Sequence, residues 1–354
     1  MKAMKYKLLS LCFFISVSLY AIQTKSKEIR KEIDVDPKVE VVIKNQFGNL
    51  TISSWDQNKV IIEVKITVKG SNQKRINEKL DEIDVIFDLS PNFVSAETKV
   101  DEGWGYKWFN SSRLRYQIDY HVKLPKSSAV DLNNDYGTII LNELEGSAKI
   151  SCDYGKLLIG DLLHETNSLS FDYTSNSTID FIKGGEINAD YSGFEVLEAG
   201  NITLNADYTN SKFEKLESLE FRNDYGKLQV EQINTLFGAG DFLTLQIGKL
   251  NENLNLNLEY GNARVDRVNP TVQKIVIDSE FTGINLNVDP IWEFTYNIDL
   301  EFAHLKTNLP LNHLIVCEQN TEKSYKGYFN NKNSANSIQI ESEYGAVKLN
   351  QTHQ

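Results

Sequence analysis

The chain has 354 residues, of which 24% are charged and 41% are hydrophobic, so it is long enough and apolar enough to bury a sizeable core. Its 49 acidic residues outnumber 37 basic residues and give a formal net charge of −12. A surface this acidic argues against nucleic acid or anionic lipid as the main partner.

The first 21 residues have the pattern of a secretory signal peptide. Lys2, Lys5 and Lys7 give a basic start, and an apolar run from Leu8 to Leu19 is too short to span a bilayer. We expect cleavage after Ala21 and export to the periplasm, the cell surface or the medium. No later stretch is apolar and long enough for a transmembrane segment. Cleavage leaves 34 basic against 49 acidic residues, a formal charge of −15.

A short motif of an acid, an aromatic residue and a small residue recurs along the chain, and an internal repeat of this kind decides the architecture. The copies begin at Asp135, Asp153, Asp172, Asp190, Asp207, Asp224, Asp241, Glu259, Glu280, Glu301 and Glu343, with an early copy at Gln46-Phe47-Gly48. Successive aromatic residues are 17–21 residues apart up to Phe302, and 42 residues then separate Phe302 from Tyr344. We expect the copies to stack in chain order.

Apolar residues alternate on both sides of each motif, which indicates strands with one buried face. Leu256 and Leu258 precede Tyr260, whereas Leu228 and Val230 follow Gly226 with the parity switched, as at a corner. Two short strands cannot bury their faces alone, and the unit is too short for a propeller blade. The sequence therefore predicts an all-β fold, a parallel β-solenoid (β-helix-like) of roughly 17–21-residue coils over residues 126–350.

Residues 22–125 differ and predict a β-rich cap at the first end of the solenoid. Residues 62–68 and 114–124 alternate as long strands, the second ending at Pro125. Asn72 is placed to cap a short helix near residues 72–83, whose apolar residues Ile76 and Leu80 have helical spacing. Terminal strands expose backbone donors and acceptors, and we expect this helix to cover them.

Two cysteines remain after signal cleavage, and both are predicted to be free and buried. Cys152 occupies a position filled by Phe171 and Ala189 in neighbouring copies. Cys317 lies some eight coils later, roughly 40 Å away, whereas bridged Cα atoms lie within about 7 Å. Cys12 is not expected to carry a lipid, because Leu11 before it is large.

The repeated acids and aromatic residues should form two rows along the solenoid. The acids could hold a cation such as Ca²⁺ between coils, but we favour the interpretation that each accepts backbone N–H bonds at its corner. A row of exposed tyrosine faces could bind glycans. The aromatic rings share the parity of the buried residues before them, however, so we favour rings that stack inward with their hydroxyls near the edge. No metal or other cofactor is predicted.

One cluster outside the repeats is rich in aromatic and cationic residues, which are frequent interface anchors. It is the candidate partner-binding site, although it could instead fold over the end of the solenoid as a hydrophobic cap; its members are Trp104, Tyr106, Trp108, Phe109, Arg113 and Arg115. No catalytic residues are predicted. The five histidines have no metal-ligand spacing, and the acids are spread evenly rather than clustered as in a polysaccharide-active β-helix enzyme.

The stretch from Phe47 to Asp56, the short helix and the segment Ile118–Pro125 before the repeats resemble a family of exported bacterial beta-strand-repeat proteins, known as adhesin-like or auto-transporter adhesin head domains. The resemblance implies export and a solenoid-like fold, without catalytic residues to carry over. We therefore expect a non-enzymatic binding or scaffold module of the cell envelope that contacts an envelope protein or a glycan. The alternative is a periplasmic component of envelope-stress signalling; a carbohydrate-active enzyme ranks third.

Overall fold

The computed structural model describes residues 22–100 and 114–352, which form 26 strands and one helix in a single, mostly parallel hydrogen-bonded sheet. The predicted all-β class with one short helix is confirmed. The predicted signal peptide lies outside the described residues. No helix within the described ranges is long and apolar enough to cross a bilayer.

The N-terminal part contains seven strands and the helix. They are β1 (Gln23–Asp34), β2 (Glu40–Gln46), β3 (Leu50–Trp55), β4 (Lys59–Gly70), α1 (Gln73–Glu82), β5 (Ile83–Leu89), β6 (Phe93–Val100) and β7 (Arg115–Pro125). The Asn72 side chain accepts a hydrogen bond from the backbone N–H of Arg75 at 3.2 Å and so caps α1. Ile76 and Leu80 bury one face of the helix, which contacts β1, β4 and β5.

The central part contains thirteen strands. They are β8 (Ala129–Asp135), β9 (Thr138–Leu144), β10 (Ala148–Asp153), β11 (Lys156–Leu162), β12 (Asn167–Asp172), β13 (Ser177–Asp190), β14 (Gly193–Asp207), β15 (Asn210–Asp224), β16 (Lys227–Asp241), β17 (Thr244–Glu259), β18 (Asn262–Val268), β19 (Lys274–Glu280) and β20 (Gly283–Val288). The strand before each aromatic residue joins one parallel ladder, ladder A, and the strand after it joins a second, ladder B. Strands β13–β17 are long enough to take part in both.

The register within the ladders repeats the motif spacing, so that equivalent residues of successive units lie side by side. Leu204 is opposite Phe221, and Asp207 is opposite Asp224. Val, Ile and Leu side chains on one face of each strand form a continuous core, whose largest fully buried members include Trp292, Phe171 and Phe213. Burial of this face is what favours stacking of units that are too small to be stable alone.

The first copy of the motif is not at the end of the stack. In ladder A, β2 lies between β6 and β8, and in ladder B, β3 lies between β7 and β9. Strands β4, β1 and β5 then continue outward in antiparallel pairing, with α1 packed on them. The early motif around Phe47 is therefore in direct register with the motif around Tyr136.

The C-terminal part interleaves in the same way. Its strands are β21 (Phe294–Glu301), β22 (His304–Thr307), β23 (Asn312–Gln319), β24 (Glu322–Phe329), β25 (Ser337–Glu343) and β26 (Ala346–Gln351). Strand β25 lies between β19 and β21, and β26 lies between β20 and β22. The expectation of stacking in chain order is wrong here, because the last copy of the motif precedes the Phe302 copy in space.

The two ladders end differently beyond this point. Ladder B ends at β22, whereas β24 and then β23 extend ladder A by antiparallel pairing on β21. Within the segment between Phe302 and Tyr344, β23 and β24 thus form a hairpin that ends ladder A before the chain returns to the interior of the stack at β25.

Because β25 has a strand on either side, its residues should be as stable as those of the central units. We predict that Ile340→Ala, at a fully buried position, lowers the free energy of unfolding by about 2–5 kcal/mol, as in other large-to-small core changes. Urea denaturation measures this, and amide exchange should be as slow in β25 as in β19.

The control for this prediction is Ile291→Ala, at a position that is 73% exposed, which should change stability by less than about 0.5 kcal/mol. Fast amide exchange throughout β25 would contradict the interleaved arrangement.

Candidate functional surface

The aromatic residues of the motif lie on the outside of the sheet in one continuous row, the aromatic row. In spatial order its twelve members are Phe47, Tyr136, Tyr154, Tyr173, Tyr191, Tyr208, Tyr225, Phe242, Tyr260, Phe281, Tyr344 and Phe302. Neighbouring rings are stacked with centroids 4.8–5.2 Å apart. The eleven rings after Phe47 are 42–54% exposed. The prediction that they stack inward is wrong.

The outward direction follows from the backbone of the motif. Each residue of the aromatic row has a left-handed conformation, with φ between 47° and 61°. In one copy Leu258 points inward and Glu259 outward, so simple alternation would turn Tyr260 inward; the left-handed residue keeps it outside instead. The parity switch that the sequence shows is therefore made by the aromatic residue and not by the glycine after it.

This conformation is unfavourable for a bulky residue, by about 1–2 kcal/mol each, because Cβ approaches the following carbonyl oxygen. Contacts between units offset the cost. Each stacked pair contributes about 0.5–1.5 kcal/mol beyond area burial. The backbone N–H of every member of the row except Phe302 also donates to the acid carbonyl of the next unit, as from Tyr191 to Asp207 at 2.9 Å, and that of Phe302 donates to the carbonyl of Thr321.

The acids of the motif form a second row beside the aromatic row, and several of their carboxylates accept backbone hydrogen bonds across units. Asp172 Oδ1 accepts from the N–H of Asp190 at 3.2 Å, and Asp224 Oδ1 accepts from the N–H of Asp241 at 2.9 Å. These bonds are those expected of acids in a structural role. No group of three or more His, Cys, Asp or Glu side chains in residues 22–100 and 114–352 is arranged to hold a metal ion.

Stacking acids at this spacing has an electrostatic cost. Burial raises the pKa of Asp172, and the neighbouring carboxylates of Asp190 and Asp153 raise it further. The pKa of Asp135 is raised for the same two reasons, with burial first and Asp153 second.

The residue after the aromatic points inward, and here sequence reasoning missed a role. Where it is Ser or Thr, its buried hydroxyl bonds to the neighbouring unit: Thr209 Oγ1 donates to the carbonyl of Ala189 at 2.8 Å and accepts from the N–H of Ser192 at 3.1 Å. Where it is Gly, the backbone leaves no room for a side chain, since a Cβ on Gly155 would lie 2.0 Å from the carbonyl oxygen of Gly137. The signal in the sequence was the restriction of this position mainly to Gly, Ser and Thr.

The two described cysteines differ in exposure. Cys152 is buried and free as predicted, and burial raises the pKa of its thiol to about 12, so it is not a nucleophile at neutral pH. Cys317 is free but exposed, so the prediction that it is buried is wrong. It lies on β23 at the outer edge of ladder A, where none of the described strands covers it.

Five residues of the predicted partner-binding cluster (Trp104, Tyr106, Trp108, Phe109 and Arg113) lie outside the described residues. Arg115 is described and exposed at the start of β7. The next residue, Tyr116, places its ring edge-on to Phe47 with centroids 5.2 Å apart, and Lys79 Nζ lies 5.0 Å from the Tyr116 ring centroid. Arg115, the described member of the cluster, is thus next in sequence to a residue that contacts the first end of the aromatic row.

Comparison with known proteins gives structural likeness alone. No protein-family model matches the chain, and no curated protein matches its sequence. The fold is similar to a candidate adhesin from Parabacteroides distasonis, with 12% identity, 73% of this chain and 97% of that chain covered, and a TM-score of 0.41. It is also similar to a candidate cell adhesion protein from Clostridium sporogenes, with 14% identity, coverage of 92% and 100%, and a TM-score of 0.20. At these values the likeness supports no transfer of function.

The left-handed backbone conformation of Tyr208 predicts an order of stability for two substitutions that an extended strand residue would not show. Tyr208→Gly removes the ring but accepts the left-handed backbone, whereas Tyr208→Val removes the ring and keeps the strain of a β-branched residue. We expect the Val variant to be less stable than the Gly variant by about 1–2 kcal/mol in urea denaturation. Equal stability, or a more stable Val variant, would show that Tyr208 is in an extended conformation.

The acid row predicts a pH dependence. Because the pKa of Asp172 is raised in the folded chain, its charged form is less favourable there than in the unfolded chain, and the folded state gains relative stability as the pH falls and the carboxyl is protonated. Asp172→Asn retains the Oδ1 acceptor and removes the charge. We expect it to raise Tm at pH 7, with a gain that disappears near pH 4, the ordinary range of Asp.

The matched control is Asp88→Asn, an exposed acid of β5 outside the row, which should leave Tm unchanged at both pH values. A lower Tm for Asp172→Asn at pH 7 would mean that the carboxylate charge stabilises the corner.

Proposed function

We propose that the mature chain is an exported, non-enzymatic β-solenoid that serves as an adhesin-like binding or scaffold module of the bacterial cell envelope. Ladders A and B are two faces of this solenoid, and each motif is the corner between them. The N-terminal 21 residues act as the signal peptide that directs the chain to this compartment.

The observation that carries this proposal is the unbroken aromatic row. Eleven successive ring stacks join twelve successive units at the strand spacing of about 4.8 Å, so the corner runs for about 50 Å. Every step is fixed by backbone hydrogen bonds, ring stacking and a shared core. A long, rigid and repetitive surface is the feature by which solenoid proteins present extended binding sites.

The geometry also limits what the aromatic row can bind. Between the two ends of the row the ring faces are covered by neighbouring rings, so only ring edges and tyrosine hydroxyls are exposed to a partner there. A glycan that needs a free aromatic face would find none among these described inner rings. We therefore propose that the partner, an envelope protein or a glycan, is held by the cluster of Trp104, Tyr106, Trp108, Phe109, Arg113 and Arg115.

Location is tested by protease treatment of intact cells, followed by detection of this protein beside periplasmic and surface controls. We expect cleavage while the periplasmic control survives, because an adhesin-like module faces outward. Protection until the outer envelope is opened would contradict a surface role.

The binding cluster is tested with purified protein on glycan arrays and on immobilised envelope fractions. We expect Trp104→Ala with Trp108→Ala to reduce binding by about tenfold or more with Tm unchanged, since removal of central interface aromatics typically costs 2 kcal/mol or more. The control is Phe237→Ala, an exposed aromatic of β16 away from the cluster. Unchanged binding by the double variant would remove the cluster from the site.

A further inference from the structure

Strand β23 presents an open apolar edge at the last end of ladder A. It pairs with β24 on one side, and among the described residues nothing pairs with its other side. All eight of its residues are exposed, including three consecutive apolar residues, Leu314, Ile315 and Val316, at 57%, 54% and 53%. An exposed edge of this kind is a template for pairing with another strand.

The outermost strands at the other end of the sheet carry more charge than β23. Strand β1, which ends ladder B there, has seven charged residues among its twelve, and β5, which ends ladder A there, has Asp84 and Asp88 among its seven. Charged side chains on an edge oppose pairing. Strand β23 has one formally charged residue, Glu318, and no proline. Its only irregularity is a bulge at Leu314, after which Ile315–Gln319 form a regular straight segment.

The faces of β23 are set by its pairing with β24. Val316 is opposite Tyr325, which is itself opposite the buried Ile298 of β21, so Val316 lies on the inner face of ladder A. Ladder B has already ended at β22. Elsewhere in the molecule ladder B covers the inner face of ladder A, but β24 and β23 lie beyond the end of ladder B. A further strand beside β23 would therefore extend the sheet and its inner face.

We propose that β23 pairs in antiparallel orientation with β23 of a second copy of this chain, about a two-fold axis at Val316. In an antiparallel pair, directly opposite residues point to the same face of the sheet. This register therefore places the inner faces of the two copies on the same side of the joined sheet. It sets Val316 against Val316 on the inner face and Ile315 against Cys317 on the outer face.

The order of polar and apolar residues along β23 supports a second copy as the occupant. In the same register Glu318 of each copy is opposite the bulge that contains His313 and Leu314 of the other, so polar residues lie at both ends of the apolar centre. An isologous contact needs a self-complementary strand, polar at both ends and apolar in the middle, and β23 has this pattern. It also closes after two copies, unlike pairing of β23 with an edge at the opposite end of another copy, which would give open filaments.

The first experiment is sedimentation velocity on the mature chain under reducing conditions at physiological salt, where repulsion between the two acidic copies is screened within about 8 Å. We expect a dimer for the wild-type chain. Val316→Lys brings two ammonium groups together at the axis and should raise the dimer dissociation constant about tenfold or more.

The matched control is Ile86→Lys, at a position of the edge strand β5 at the opposite end that is 54% exposed, close to the 53% of Val316. It should leave the dimer unchanged. Both variants should keep the wild-type Tm in dilute solution. A monomeric wild-type chain, a dimer that survives Val316→Lys, or filaments that Ile86→Lys abolishes would each overturn the proposal.

The register is tested by crosslinking in a Cys317→Ser background. Val316→Cys places two thiols directly opposite, with Cα atoms about 4.5–5.5 Å apart, which is within disulfide range. Oxidised glutathione accepts the two electrons and two protons as the bond forms. We expect a covalent dimer from this variant and a monomer from Ile86→Cys in the same background; the absence of the Val316→Cys crosslink in a solution that contains the dimer would overturn the register.

Discussion

The fold depends on one corner in which an aromatic residue adopts a left-handed backbone conformation that a single unit could not stabilise. Each corner is unfavourable by about 1–2 kcal/mol alone. It becomes favourable in register, because the ring stacks on the rings of both neighbouring units and the backbone N–H bonds to the next acid. The side chain after the aromatic then points inward, where Gly, Ser or Thr fits the narrow space between units. Stability is thus a property of the stack.

Registered stacking also accounts for the two ends of the molecule. Because every unit presents the same corner, the chain can place β2–β3 and β25–β26 inside the stack, with a strand on either side of each. Neither segment can separate without breaking two sets of strand pairs. The edge strands at the first end are the highly charged β1 and β5, which has two acids among seven residues, whereas β23 at the last end has one acid among eight. The two ends therefore differ in charge, and the proposed self-association uses the less charged one.

Much of the fold could be predicted from the sequence because the repeat is strong and its period matches a stacked two-strand unit. The helix was found from Asn72 and the spacing of Ile76 and Leu80. The direction of the aromatic rings could not be found from alternation, since one left-handed residue reverses the parity on which alternation depends.

Cys317 was assigned to the core as a member of one more coil, but it belongs to an antiparallel hairpin inserted between two copies. The order of Tyr344 and Phe302 in the stack is known only from the strand pairing, because units with the same sequence pattern do not specify which units are neighbours. Most of the candidate binding cluster lies outside the described residues.

The most direct test of the stacked corner is oxidative dityrosine coupling of the folded protein, read by mass spectrometry of peptides. Adjacent tyrosines of the row have ring centroids 4.9–5.2 Å apart and exposed edges. The account predicts crosslinks between spatial neighbours such as Tyr191 and Tyr208, and, in a Phe281→Tyr variant, a crosslink from residue 281 to Tyr344. Absence of neighbour crosslinks would contradict the exposed row. Its order would be contradicted if residue 281 coupled to residue 302 instead of Tyr344 in a variant that carries both Phe281→Tyr and Phe302→Tyr.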